Sequence, residues 1–208
     1  ETDDNQGGVD FPDDILNAII QEAHKRGKKV FAHATAMDAY DKGARAGVDV
    51  LTHMPFDRPV SKETIDNMVK YNTVTVPTLI MMEGTLNGLH KMIPNLPLTL
   101  EMSLSNLAAM KNAGIKVLAG TDSNLDDPTT PFHPCHGPAL YRELKLMTDA
   151  GYTNEEVLQS ATADPAEYFS LSDRGTIAPG KRADLLLVHG DPTKDIECLC
   201  NVRKVWIG

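Results

Sequence analysis

The chain has 208 residues, 41% apolar and 24% charged, a balance typical of a folded protein with a sizeable core and one or two domains. Its net charge of −9 argues against a nucleic-acid partner, because such proteins present a basic stripe to the phosphate backbone. No stretch approaches the roughly 20 apolar residues of a spanning helix, so no membrane partner is expected.

The N-terminal stretch Glu1 to Gly8 has neither the basic start nor the apolar run of a secretory leader. It also lacks an initiating Met, so a processed chain or a fragment is expected. The compartment is left open, with the cytoplasm slightly favoured.

Asp13 and Asp14 are placed to cap a helix running to about Arg26, with Ile15, Ala18, Ile19 and Ala23 as its apolar stripe and Gly27 as its stop. A strand through Val30 and Phe31 follows, then a helix over Met37–Ala46 ended by Gly47. Next come a strand Val48–Thr52, a helix Lys62–Tyr71 begun at Ser61, and the β-branched run Thr73–Val76 halted by Pro77. An irregular stretch from Glu83 to Pro97, carrying His90, reads as a flap. A helix over Leu100–Ala113 leads to a strand Lys116–Ala119. Short apolar strands alternating with helices are the pattern of a parallel α/β sheet.

Beyond these four units, a helix is expected over Ala139–Ala150, a capping box at Thr153–Glu156, and an N-cap with Pro at the first helical position at Asp164-Pro165. From about Gly175 the texture turns to short strands, Asp184–Val188 and Val202–Ile207, which need partners to form a stable sheet. Two regions are expected, residues 10–170 and 171–208. Three cysteines make no disulfide framework. Cys198 and Cys200 would share one face of an extended segment and read as reduced packing residues. His24 is expected on an exposed face and His189 in a turn, while Met81 and Met82 read as core rather than pocket lining.

His33, His53 and Asp122 stand at the C-terminal ends of successive expected strands. In a barrel of parallel strands those ends converge on one mouth, where chemistry takes place. Two imidazoles and a carboxylate are a ligand set that zinc accepts. Taken singly, each has a plainer reading: a strand-end His hydrogen-bonded to backbone, or an Asp capping a turn. His136, in His133-Pro134-Cys135-His136-Gly137, should overhang the same mouth, either touching substrate or solvated on a rigid loop. His133, Cys135 and His136 do not have the spacing of a closed structural zinc site.

The motifs Phe31-Ala32-His33-Ala34, Leu51-Thr52-His53 and Gly120-Thr121-Asp122-Ser123 resemble those of a metal-dependent amidohydrolase. The tail, Ala161–Ala166 followed by Gly175–Leu185, carries the resemblance further. It points to the branch holding imidazolonepropionase-like enzymes and prolidase-like dipeptidases, covers roughly Phe11 to Gly208, and matches the C-terminal half only. It implies a TIM (β/α)8 barrel represented by strands five to eight, plus the closing strands of a small β-sandwich. His33 and His53 would be metal ligands, and Asp122 a ligand that also shuttles a proton. One or two divalent ions, zinc foremost, are implied, with a small-molecule amide substrate.

No His-x-His pair occurs in the chain, although the family carries one on its first strand. The N-terminal half or another chain is therefore expected to complete the barrel, and an oligomer is expected. The implied reaction is hydrolysis of a C–N bond. Its rivals are an aminohydrolase on the same scaffold and a non-catalytic half-barrel needing an N-terminal partner.

Overall fold

The computed structural model describes residues 11–124 and 134–208. Helix and strand alternate through α1 (Asp13–Lys25), β1 (Phe31–His33), α2 (Met37–Ala46), β2 (Val50–Thr52), α3 (Lys62–Tyr71), β3 (Val74–Val76), α4 (Leu79–Met92) and α5 (Leu100–Asn112). The three strands form a parallel sheet in the order β1-β2-β3, with Phe31 opposite Val50 and Val50 opposite Val74. Val50, Leu51 and Val74 are buried, as strands covered on both faces must be. The expected fourth strand is reduced to one parallel bridge between Thr75 and Val117. Ala119 leaves the ladder by donating its N–H to Ser160 O.

α1 buries Leu16 and Ile20 and leaves Ile15 and Ile19 exposed, so the buried row lies one residue on from the expected stripe. Both rows are apolar, and helical periodicity alone does not choose between them. Pro12 precedes α1 without a side-chain cap, which places Asp13 and Asp14 in the first turn. Ser61 caps α3 as expected, accepting from Thr64 N–H. The stretch read as a flap is largely helical: α4 runs to Met92 and carries His90, whose Nε2 lies 3.1 Å from Leu96 O. Leu79, Met82 and Leu86 form the buried row that holds it in place.

After the segment outside the described residues come α6 (Pro138–Asp149), α7 (Asn154–Ser160) and α8 (Ala163–Tyr168). The Thr153–Glu156 capping box opens α7 with both of its reciprocal bonds. α8 begins two residues earlier than expected, with Thr162 before it and Asp164-Pro165 inside its first turn, where a proline's missing N–H costs nothing. β4 (Leu185–Val188) and β5 (Val202–Trp206) pair antiparallel, Leu185 opposite Trp206. Between them Ile196–Cys200 is a 3-10 helix, so Cys198 turns inward and Cys200 outward instead of sharing a face. Among the described residues no helix is long and apolar enough to cross a membrane.

Candidate active site

β1 and β2 run side by side with His33 opposite Thr52. His33 closes β1, and His53 is the first residue beyond β2, where its N–H donates to Val76 O. This register brings the two imidazoles together: His53 Nε2 lies 2.7 Å from His33 Nδ1, with the rings edge to face at 4.4 Å between centroids. On its other side His53 Nδ1 lies 2.7 Å from Thr78 Oγ1, just after β3. Adjacent strand ends thus converge on one imidazole pair.

His53 is 5% exposed. Burial first, and the neighbouring His33 second, push its pKa down to about 4. At neutral pH it is an uncharged imidazole, the form that ligates metals. When Nδ1–H donates to Thr78 Oγ1, the Nε2 lone pair is directed to the His33 side, an arrangement typical of metal-binding histidines. The donor chemistry therefore fits a divalent ion such as zinc.

Among the described residues, no three His, Cys, Asp or Glu side chains lie close enough to hold one ion. The structure unites His33 with His53, and Asp122 does not complete a triad with them. Asp122 is exposed in a turn in which Ser123 N–H donates to Thr121 Oγ1. Ser123 Oγ reaches Cys135 O at 3.4 Å, which ties the segment before α6 to that turn. His136 is exposed one residue further on. His133 lies outside the described residues, as does any site built on it.

His53, Thr78 and Asp122 all have positive φ, at 73°, 44° and 53°. Histidine and aspartate tolerate that region better than most residues, but for β-branched threonine it is a genuine outlier. Strain of this kind persists only where surrounding contacts over-determine it, and it clusters at functional sites.

The loop beyond His53 is held from α5. Ser103 Oγ donates to Met54 O, while Asn106 Nδ2 donates to Pro55 O and Arg58 O and its Oδ1 accepts from Val60 N–H. Asp57 on that loop accepts from Met37 N–H at the start of α2, and Glu143 on α6 accepts from Ile80 N–H at the start of α4. Two helices that follow site strands are thus capped by residues remote in sequence.

Thr78 and Glu143 were not among the expected site residues. Pro77-Thr78 before Leu79 does carry a helix-start signal, and Glu143 lies on the apolar spacing of Ala139, Leu146 and Met147.

The Amidohydrolase family model matches residues 4–208. An uncharacterised protein of Mycobacterium tuberculosis is 30% identical over 193 residues, covering 88% of this chain and 47% of that protein. An imidazolonepropionase of Caldanaerobacter subterraneus subsp. tengcongensis is 27% identical over 189 residues, covering 88% of this chain and 39% of that enzyme. A Xaa-Pro dipeptidase crystallised with methionine in its active site superposes with a TM-score of 0.76 at 26% identity, over 96% of this chain and 48% of that one. The chain thus spans about half the length of these relatives. Strand-end histidines, parallel topology and a match along nearly the whole sequence agree: the chain belongs to the amidohydrolase family.

Proposed function

We propose that this chain supplies the C-terminal half of the active site of a metal-dependent hydrolase that cleaves a C–N bond in a small peptide-like or cyclic amide. The reading rests on one observation, the convergence of His33 and His53 from adjacent strand ends with His53 neutral at physiological pH. Family membership adds C–N hydrolysis as a reaction class. The architecture proposed is strands five to eight of a (β/α)8 barrel, with β4 and β5 as the closing strands of a β-sandwich.

His33 and His53 would hold a divalent ion, with further donors from the absent half and from Asp122. A bound ion supplies Lewis acidity, enough to bring a water's pKa to about 7. The Asp122 carboxylate then accepts a proton and passes it to the departing nitrogen, as general base and afterwards general acid. Thr78 keeps the His53 ring oriented, and His136 contacts the substrate from the edge of the mouth.

The partner that completes the site is the N-terminal half of the barrel. Exposed apolar side chains support this, among them Phe31 on β1, Leu186 and Leu187 on β4, and Trp206 and Ile207 at the far end. Large apolar side chains left open on both sheets are what an uncompleted interface would expose.

The test is the chain assayed alone and with an N-terminal complement, with zinc present, against Xaa-Pro dipeptides, N-acyl amino acids and cyclic amides. Hydrolysis is expected only with the complement, with zinc retained on the chain. Absence of hydrolysis in every case overturns the reading. Ammonia release from an amino-heterocycle with one ion per site moves the reaction to the aminohydrolase class.

A further inference from the structure

Thr78 precedes α4 in the position where a threonine hydroxyl ordinarily accepts an N–H of the first helical turn. Here it caps nothing: α4 receives no side-chain bond from its own N-cap residue, and Thr78 Oγ1 is turned to His53 Nδ1 instead. The vacated role is filled from α6. Glu143 Oε2 accepts from Ile80 N–H at 2.8 Å and also faces the Leu79 amide. A second tie lies beside it, where Arg142 pairs with Glu83 in the first turns of α4.

Burying a carboxyl group at this point is costly, and Glu143 is 0% exposed with Oε1 lacking a hydrogen-bond partner among the described residues. Thr78 is itself buried and holds a left-handed backbone, φ 44° and ψ 47°, in place of the extended one from which a residue caps its own helix, so the cap has to come from elsewhere. The arrangement makes sense when the Thr78 hydroxyl is needed elsewhere.

We infer that Glu143 is a positioning residue for the metal-binding imidazole: by capping α4 from a neighbouring helix it releases the Thr78 hydroxyl to fix the orientation and tautomer of His53. The chain of contacts runs Glu143, α4 N-terminus, Thr78, His53, His33. Removing the carboxyl leaves the Leu79 and Ile80 amides, which directly follow Thr78, without that acceptor. Relaxation of the strained Thr78 backbone toward the extended capping conformation would carry its hydroxyl to the helix and deprive His53 Nδ1 of its partner. Desolvation pushes the carboxyl's pKa up to about 8, so at neutral pH the cap is mostly a neutral group.

This inference rests on the proposed reading of His53 as a ligand, but its first readout is independent of that reading. In the completed, metal-free protein, the imidazole 15N signals of His53 are compared among wild type, Glu143→Leu, Glu143→Gln and Thr78→Val. Wild type is expected to show a single tautomer protonated on Nδ1. Glu143→Leu and Thr78→Val are expected to shift it to a tautomer mixture. Glu143→Gln, whose amide oxygen still accepts from Ile80 N–H, is expected to restore the wild-type signal.

Zinc affinity supplies the second readout, falling roughly 10- to 100-fold in the first two variants and recovering in the third, as for other outer partners of metal-bound histidines. An unchanged His53 signal in folded Glu143→Leu overturns the inference. If Glu143→Leu does not fold, an unchanged signal in Thr78→Val overturns it instead. Wild-type protein that takes up no zinc sinks the ligand reading alone, and the imidazole signals then decide this inference by themselves.

Discussion

Gly120 sits so close to Val76 that a Cβ on the glycine would stand 2.5 Å from Val76 Cγ1. This approach brings the Thr121-Asp122 turn up against the end of β3, beside the residues that lead to Thr78. A real Cβ essentially never makes so short a contact, so a side chain here must displace the Val76 side chain, a β-branched one with little rotamer freedom. Gly120→Ala is expected to destabilise the protein by about 1–3 kcal/mol, in the range of overpacked cores. Thermal denaturation checks this, and pairing the change with Val76→Ala is expected to recover most of the loss.

Removal of either imidazole should abolish metal retention. In the completed protein, His33→Ala and His53→Ala are each expected to weaken zinc binding by more than about 100-fold, beyond what loss of an outer partner costs. Metal content after dialysis, measured by elemental mass spectrometry, provides the check.

Asp122→Asn separates proton transfer from folding. Asparagine tolerates the left-handed backbone at this position as aspartate does, so the φ of 53° is no obstacle. Turnover is expected to fall roughly 10²- to 10⁴-fold, the usual contribution of a general acid–base group, with near-UV circular dichroism unchanged. A variant that retains turnover removes Asp122 from proton transfer.

Glu143 makes stability depend on pH in a definite direction. Its pKa rises from 4.5 to about 8 on folding, so over that interval the native state binds more protons than the unfolded chain. The carboxyl's contribution is fully present below about pH 4.5 and is lost as pH climbs toward 8. Glu83, which is paired with Arg142, adds a smaller upward push to that of burial. Relative to Glu143→Gln, wild type is expected to lose stability progressively between pH 5 and 8. Denaturant midpoints across that range for the two proteins test the sign.

The parts of this molecule that were legible in its sequence are those determined by local chemistry. Ser61 before α3, the Thr153–Glu156 box before α7 and the glycine after α2 all act within a few residues of themselves, and each element starts or stops where they indicate. The pairing of His33 with His53 was legible as well, because parallel strands in register carry their ends to the same side.

What escaped was determined at a distance. The Glu83–Pro97 stretch was read as irregular although α4 runs through it to Met92, and the cap of that helix comes from Glu143, 63 residues away from Ile80. The choice of the Leu16 row over the Ile15 row on α1 depends on what packs against it. The fourth strand faded because Ala119 bonds to Ser160, a partner no local pattern announces.

Ser103 and Asn106 hold the edge of the mouth in place. Both stand on α5, yet between them they grip Met54, Pro55, Arg58 and Val60 through main-chain atoms alone, leaving the side chains of the gripped residues unspecified. Other contacts do specify side chains on this loop, for Met54 is buried in the core, Asp57 accepts from Met37 N–H, and Arg58 pairs with Asp38 and Asp41. The path of the chain beyond His53 is therefore fixed twice over, by main-chain anchors from α5 and by side chains of its own, which makes it a rigid rim beside the imidazole pair.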